Sequence, residues 1–138
     1  MTVRRLEPLT TEECFELVRQ QQVGRVAIAS IEGPPVLTPV TFVLDGLCVL
    51  FQSDPGEKVA AVGQHVSFQV DWIDPTHRTG WSVLLQGRLS LVDEAHLREV
   101  LLEPWVGDRR FWLRIEPEVV TGRRLALDLP DVDQRGYR

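Results

Sequence analysis

The chain has 138 residues, of which 43% are hydrophobic and 25% charged, the composition of roughly one globular domain able to hold a core without disulfides or a structural metal. A net charge of −5 argues against a duplex nucleic-acid binder or a polybasic membrane surface, since both need a concentrated positive field. The two cysteines, Cys14 and Cys48, are too few for a disulfide framework or a paired CxxC metal site; with no signal-like or membrane-length apolar run, the chain is expected to be cytoplasmic.

The first clear element runs from about Thr11 to Gln21, where Cys14, Leu17 and Val18 fall at i, i+3, i+4 and Thr10 with Glu13 forms a capping box. An amphipathic helix is predicted there. VGRVAIASI (Val23 to Ile31) and VLTPVTFVL (Val36 to Leu44) are β-branched runs separated by Glu-Gly-Pro-Pro, and LCVLFQS (Leu47 to Ser53) follows an Asp-Gly turn. These three make an antiparallel meander. At DPGEK (Asp54 to Lys58) Asp54 can cap, Pro55 suits the first helical position and Glu57 can reach back, so a short helix through Val62 is expected.

HVSFQVDWI (His65 to Ile73) alternates with Val66, Phe68, Val70 and Trp72 on one face, and Trp81 to Val92 alternates likewise with Gly87 as a bend. The first reads as a half-buried strand and the second, by its length, as a coiled, barrel-forming one. A second helix is predicted from Asp93, carrying Leu97, Val100 and Leu101 and ending before Pro104; strands at Phe111 to Pro117 and Val119 to Leu125 follow. Residues 1–127 then form a single domain, and 128–138, DLPDVDQRGYR, a polar arm. The expected class is mainly β (α+β): a six- to seven-stranded antiparallel β-barrel with short flanking helices, which the resemblance given below makes a split β-barrel.

No GxSxG, HExxH, P-loop or GxGxxG is present, and His65, His77 and His96 have no metal-ligand spacing, so no metal is expected. The chain's one lysine, Lys58, stands in the first turn of the predicted DPGEK helix, where a cation opposes the dipole. An anion there, held by backbone N–H groups, Ser53 and Lys58, would reconcile the charges; equally, Lys58 can face solvent and pair with Asp54 or Glu57. Trp81 and Ser82 suit stacking on a flat heterocycle, or Trp81 belongs to the core. The basic TGRR run (Thr121 to Arg124) can fork onto a phosphate or carboxylate, or protect a strand edge.

In this order, TTEECFELVRQQQVGRVAIAS, VLTPVTFVLDG, LFQSDPGEK, VSFQVDWID and GWSVLLQGRLSLV resemble the pyridoxamine-5′-phosphate-oxidase-like flavin-binding split-barrel superfamily, in its small bacterial branch of nitroimidazole-resistance-type proteins. The resemblance implies a homodimer with FMN in a groove between subunits. By it, Ser53 and Lys58 meet the phosphate, Pro39, Val40, Thr41 and Phe42 line the isoalloxazine, and Phe51 and Gln52 adjoin them. Trp81 and Ser82 complete the groove, from the same or the other subunit. Gln52-Ser53 stands where the family often has Arg-Thr, which removes a charge-assisted phosphate bond of about 1.5–3 kcal/mol.

The resemblance implies an FMN-dependent oxidoreductase, a reductase of small electrophilic or nitroaromatic compounds in which the cofactor carries the electron chemistry and no catalytic side chain is named. The alternatives are a deazaflavin-dependent reductase of the same fold and a non-catalytic flavin-binding or cofactor-less barrel; a haem-binding relative would want a histidine on the groove. The expected partners are a second copy and a small-molecule substrate, with no nucleic acid and no membrane. Exposed Trp81, Trp105 or Trp112 would give such a barrel an apolar patch that needs a partner.

Overall fold

In the computed structural model, the alternating segments become strands of one antiparallel sheet, and residues 3–53, 56–93 and 111–128 are described. In chain order the described elements are β1 (Val3–Pro8), α1 (Thr11–Val18), β2 (Val23–Ile28), β3 (Val36–Asp45), β4 (Cys48–Ser53), α2 (Glu57–Ala60), β5 (His65–Asp74), β6 (Thr79–Leu91) and β7 (Phe111–Asp128). The sheet order is β1-β7-β4-β3-β2-β5-β6, and a further β7–β6 pairing closes six strands into a barrel with β1 outside it. This is the mainly β barrel with short helices that the sequence predicts.

Closure depends on β7, whose 18 residues let one strand serve three neighbours. Its start pairs with β4 from Ser53↔Phe111 to Val49↔Ile115, its length with β6, and its end with β1 from Pro8↔Arg123 to Val3↔Asp128. Two strands, Phe111 to Pro117 and Val119 to Leu125, are predicted where the structure has one, and the structure shows why. Gln86 pairs with Val119 but Gly87 with Pro117, so Glu118 is an extra residue in a bulge. Pro117 is tolerated at that irregularity. A Cβ on Gly87 would lie 1.9 Å from the Glu116 carbonyl oxygen, so the predicted bend requires glycine.

Alternation fills the barrel from all sides: Val26, Phe42, Phe51, Phe68, Leu85 and Ile115 belong to one buried cluster. The Phe42 and Phe68 rings meet edge to face, 5.0 Å apart at 77°. The helix α1 adds Cys14, Phe15 and Val18 to that cluster, its start held by the capping box: Glu13 N donates to Thr10 Oγ1 at 3.1 Å and Thr10 N to Glu13 Oε1 at 2.9 Å. Hydrogen bonding to Thr10 holds the Glu13 carboxyl below its ordinary value. Ala61, just after α2, is also in the core.

Several expectations need correction. β1 is absent from the sequence reading because VRRLEP does not alternate; it is a charged outer strand, as unprotected edges favour. α1 stops at Val18, and α2 is a single turn from Glu57 to Ala60 where a helix from Asp54 to Val62 is predicted. Trp81 is only 8% exposed, whereas its cross-strand partner Trp72 is 48% exposed: of two inner-face indoles side by side at the rim, one enters the core. Trp112 is half-buried. Trp105, the helix from Asp93 and the arm beyond Asp128 lie outside the described residues.

Candidate functional site: an open strand edge and an outer groove

The barrel is split beside β3. Residues Val36 to Thr41 pair with β2, but β4 joins β3 only from Phe42↔Phe51 to Asp45↔Cys48. Among the described residues, then, Val36–Thr41 forms a ladder on one edge only. Phe42 N donates to Gln22 O at 3.0 Å, so Phe42 turns its main-chain groups toward β2. By alternation Leu37, Pro39 and Thr41 turn theirs toward the split. Pro39 has no N–H to offer, and a proline is tolerated at such an edge.

The site residues expected on this side are thereby sorted. Val40, Phe42 and Phe51 bury their side chains in the core, and Val40 and Phe42 spend their main-chain groups on β2, so a ligand at the split meets neither. Pro39 and Thr41 face outward, exposed and half-buried respectively. Continuing the β3–β4 register past Phe51 places Gln52 across from Thr41, and Ser53, 2% exposed, ends β4. The Gln52 Oε1 atom is buried and accepts no hydrogen bond from a described residue, although the residue is engaged through another interaction. Lys58, half-buried, follows on α2. One helical turn has little macrodipole, so attraction for an anion here falls on the Lys58 ammonium and polar neighbours rather than on the helix. Asp54 and Pro55 lie outside the described residues.

At the Val36 end of the open edge is a depression of about 330 Å³ lined by Ile28, Ser30, Glu32, Val36, Ala61 and Gln64. The edge and the depression together can hold a flat molecule by main-chain donors and acceptors on one side. Neither feature is marked by a sequence motif. The signal available was Pro39 itself, a proline within a strand, which points to an unpaired edge.

Trp81 and Ser82 lie elsewhere on the barrel. Thr41 is opposite Val23, the Arg25↔Gln69 register carried two residues on sets Val23 against Asp71, and Asp71 is opposite Ser82. Ser82 is therefore three strands from Thr41, about 14 Å around the sheet at the usual strand spacing. Its side chain points outward, into a second groove of about 370 Å³ formed by β5, β6 and β7. A single chain does not bring Trp81 and Ser82 to the split.

Between the two regions the outer face is polar: Arg25 Nη1 donates to Gln69 Oε1 at 3.2 Å and lies 3.5 Å from Asp71 Oδ1, while Gln69 Nε2 donates to Asp71 Oδ2 at 2.9 Å. Among the described residues no reactive side chain stands out. Burial pushes the Cys14 thiol up, which keeps it a protonated core residue, and Cys48 accepts from Arg114 Nη2 at 3.1 Å on the barrel's other side. His65 pairs with Glu118, 3.1 Å away, and His77 with Asp74. Among the described residues no group of three or more His, Cys, Asp or Glu can hold a metal, and no helix is long and apolar enough to cross a membrane.

Comparison with known proteins places this geometry. An uncharacterized Mycobacterium tuberculosis protein, Rv0080, is 31% identical over 144 residues, covering 91% of this chain and 94% of its own. The structure of the FAD binding protein from Mycobacterium smegmatis superposes with a TM-score of 0.73 at 31% identity, covering 86% of this chain and 98% of that one. A candidate 5-nitroimidazole antibiotic resistance protein from Bacteroides thetaiotaomicron shares the fold at a TM-score of 0.65 and 12% identity, over 94% of this chain and 96% of its own. The family model for pyridoxamine 5′-phosphate oxidase matches residues 10–124, from the α1 cap to the basic end of β7, and the chain belongs to that family.

Proposed function

We propose that the chain is a flavin-binding oxidoreductase, a reductase of small electrophilic or nitroaromatic compounds, that holds FMN along the split beside β3. The observation that carries this reading is the half-paired β3, whose Leu37 N–H and Leu37 and Pro39 carbonyls form a mixed donor and acceptor row. The pyrimidine edge of an isoalloxazine is likewise mixed, so the row and the ring are complementary. Lys58 would hold the phosphate with Ser53, Gln52 would meet the ring or its chain, and the depression at Val36 leaves room beyond the edge. When bound, the flavin supplies hydride and electron transfer, and the protein orients it and limits access of water.

The 31% identical M. smegmatis relative is an FAD binding protein, which supports a flavin and makes FAD a necessary comparison. Since Ser82 and Thr41 lie three strands apart on one chain, their contact with one ring needs a second copy, and a homodimer is part of the proposal. The exposed Trp72 and Ile73 give that copy apolar surface. Gln52, where the family's arginine often stands, favours a second reading: a barrel with weakened flavin affinity that uses the deazaflavin or serves without catalysis.

The test is titration of the purified protein with FMN, FAD and the deazaflavin, followed by absorption and fluorescence, with sedimentation to give the oligomeric state. Saturable FMN binding at one per chain in a dimer is expected. Preference for the deazaflavin changes the cofactor and keeps the site, binding of none of the three removes the flavin reading, and a monodisperse monomer that binds flavin removes the shared groove.

A further inference from the structure

The groove on the outer face of β5, β6 and β7 contains, beside the Ile73, Trp81 and Ser82 that the flavin reading uses, residues that it does not. Ile73, Gly80 and Leu125 stand in one row across the three strands, and Ser82 and Arg123 in the next. Gly80 contributes no side chain between the branched Ile73 and Leu125, and Ile73 leans toward it, its Cδ1 3.0 Å from where a Cβ would stand, which leaves a shallow apolar slot. A Cβ there would lie 2.4 Å from the Trp72 carbonyl oxygen, so the slot cannot be filled at that position without moving the hairpin. Arg123 and Arg78 also line it. Among the described residues no carboxylate does.

Two acidic residues stand near the slot, and both are engaged by partners of their own. Asp71 accepts from Gln69 and lies beside Arg25. Asp74 accepts from the Thr76 and His77 main-chain N–H groups and pairs with the His77 ring at 2.6 Å. The described lining of the slot thus brings two guanidiniums to an apolar floor.

Arg78 is notable for where it stands. It occupies the left-handed region at φ 55°, and is the one non-glycine residue described there. This is the last position of the Pro75–Arg78 turn between β5 and β6, where glycine carries no steric penalty. An arginine held in such a conformation while its residue lines a groove points to a use for the side chain. Arg78 is engaged by another interaction as well, but a guanidinium presents five donors, enough for an additional oxygen pair.

We infer that this slot binds a flat apolar acid, an aromatic or conjugated carboxylate, with its body between Ile73 and Leu125 over Gly80 and its carboxylate on Arg78 and Arg123. Ser82, directly across from Arg123, can add a hydroxyl donor. Binding stands on the groove alone; that such an acid is the compound reduced rests on the flavin reading, which needs this groove to face the split of a second copy.

The test uses the full chain without added flavin and titrates benzoate and the neutral isostere benzamide, read by calorimetry and by tryptophan fluorescence. Saturable benzoate binding at least tenfold tighter than benzamide is expected, with fivefold or greater weakening in Arg78→Gly and in Arg123→Gln. Arg78→Gly should keep or raise the melting temperature, because glycine suits that φ, so its loss of binding is not loss of fold. Equal affinity for benzoate and benzamide, absence of saturable binding, or unchanged benzoate affinity in either variant overturns the proposal. A flavin titration on the same preparation keeps the two readings apart: benzoate binding without flavin binding sinks only the reductase, and the converse sinks only the acid site.

Discussion

The barrel has two unlike sides. Through β5, β6 and β7 the ladders run almost unbroken from His65↔Arg88 to Asp74↔Thr79 and from Gly80↔Leu125 to Leu91↔Leu113, and a ligand can meet only outward-facing side chains. Beside β3 the ladder to β4 stops after four residues of each strand, and main-chain groups are themselves the recognition surface. Closed sheet recognises by side-chain choice, so its specificity can be read and altered residue by residue; open sheet recognises by backbone, and side chains there serve mainly to keep the edge open and the core filled.

The sharpest way to break this contrast is at Phe51, fully buried next to the split. Phe51→Ala should cost about 3–5 kcal/mol of stability, seen as a large fall in the denaturant midpoint; a mild effect on stability with a large loss of flavin would mean that the ring lines a site rather than the core. On the closed side, Gly87→Ala should cost about 1–3 kcal/mol by forcing the bulge apart at Glu116, and thermal melts would show it without a change in ligand binding.

Smaller in stability but specific in binding, Lys58→Ala should lower flavin affinity by tenfold or more, consistent with loss of a charged hydrogen bond of about 1.5–3 kcal/mol, while leaving the melting temperature nearly unchanged. Unchanged occupancy removes Lys58 from the site. Amide exchange gives a subtler comparison: the Leu37 amide should exchange faster than those of Val70 and Val83, and added flavin should slow the first only. Equal rates at the start would mean that the edge is covered.

The smallest expected effect is acid-side. Hydrogen bonding to His77 holds the Asp74 carboxyl below its ordinary value, so its contribution to stability is present above the unfolded carboxylate range near pH 4 and is lost as pH falls through the lower folded value. Asp74→Asn should flatten that part of the pH–stability curve, measured by melts from pH 2 to 6. A steeper curve in the variant would contradict this assignment.

Most of the barrel was legible because its signals are local. Val66, Phe68 and Val70 alternate over residues that do face the core, Thr10 and Glu13 form the cap they spell, and Gly87 marks the bend it makes. β1 escaped notice because Arg4, Arg5 and Glu7 carry no alternation, and its strand state depends on the far end of β7 lying alongside. Trp72 and Trp81 read alike, yet one is buried and one is not, since only cross-strand pairing at the rim decides which indole enters. The TGRR run announced a cation but not its company: that Arg123 stands over the same slot as Arg78 follows from a register 45 residues apart in sequence.

By itself, then, the sequence determined strands β2 to β6, most of their inner faces, the α1 cap and the family to which the chain belongs, because periodicity and capping act within a few residues. Tertiary structure decided where the barrel is left open, which tryptophan is exposed, and that Thr41 and Ser82 lie on different parts of the surface. Those outcomes depend on which strand edges meet and where a ladder stops, and such long-range pairings are set by closure of the whole sheet rather than by any one segment.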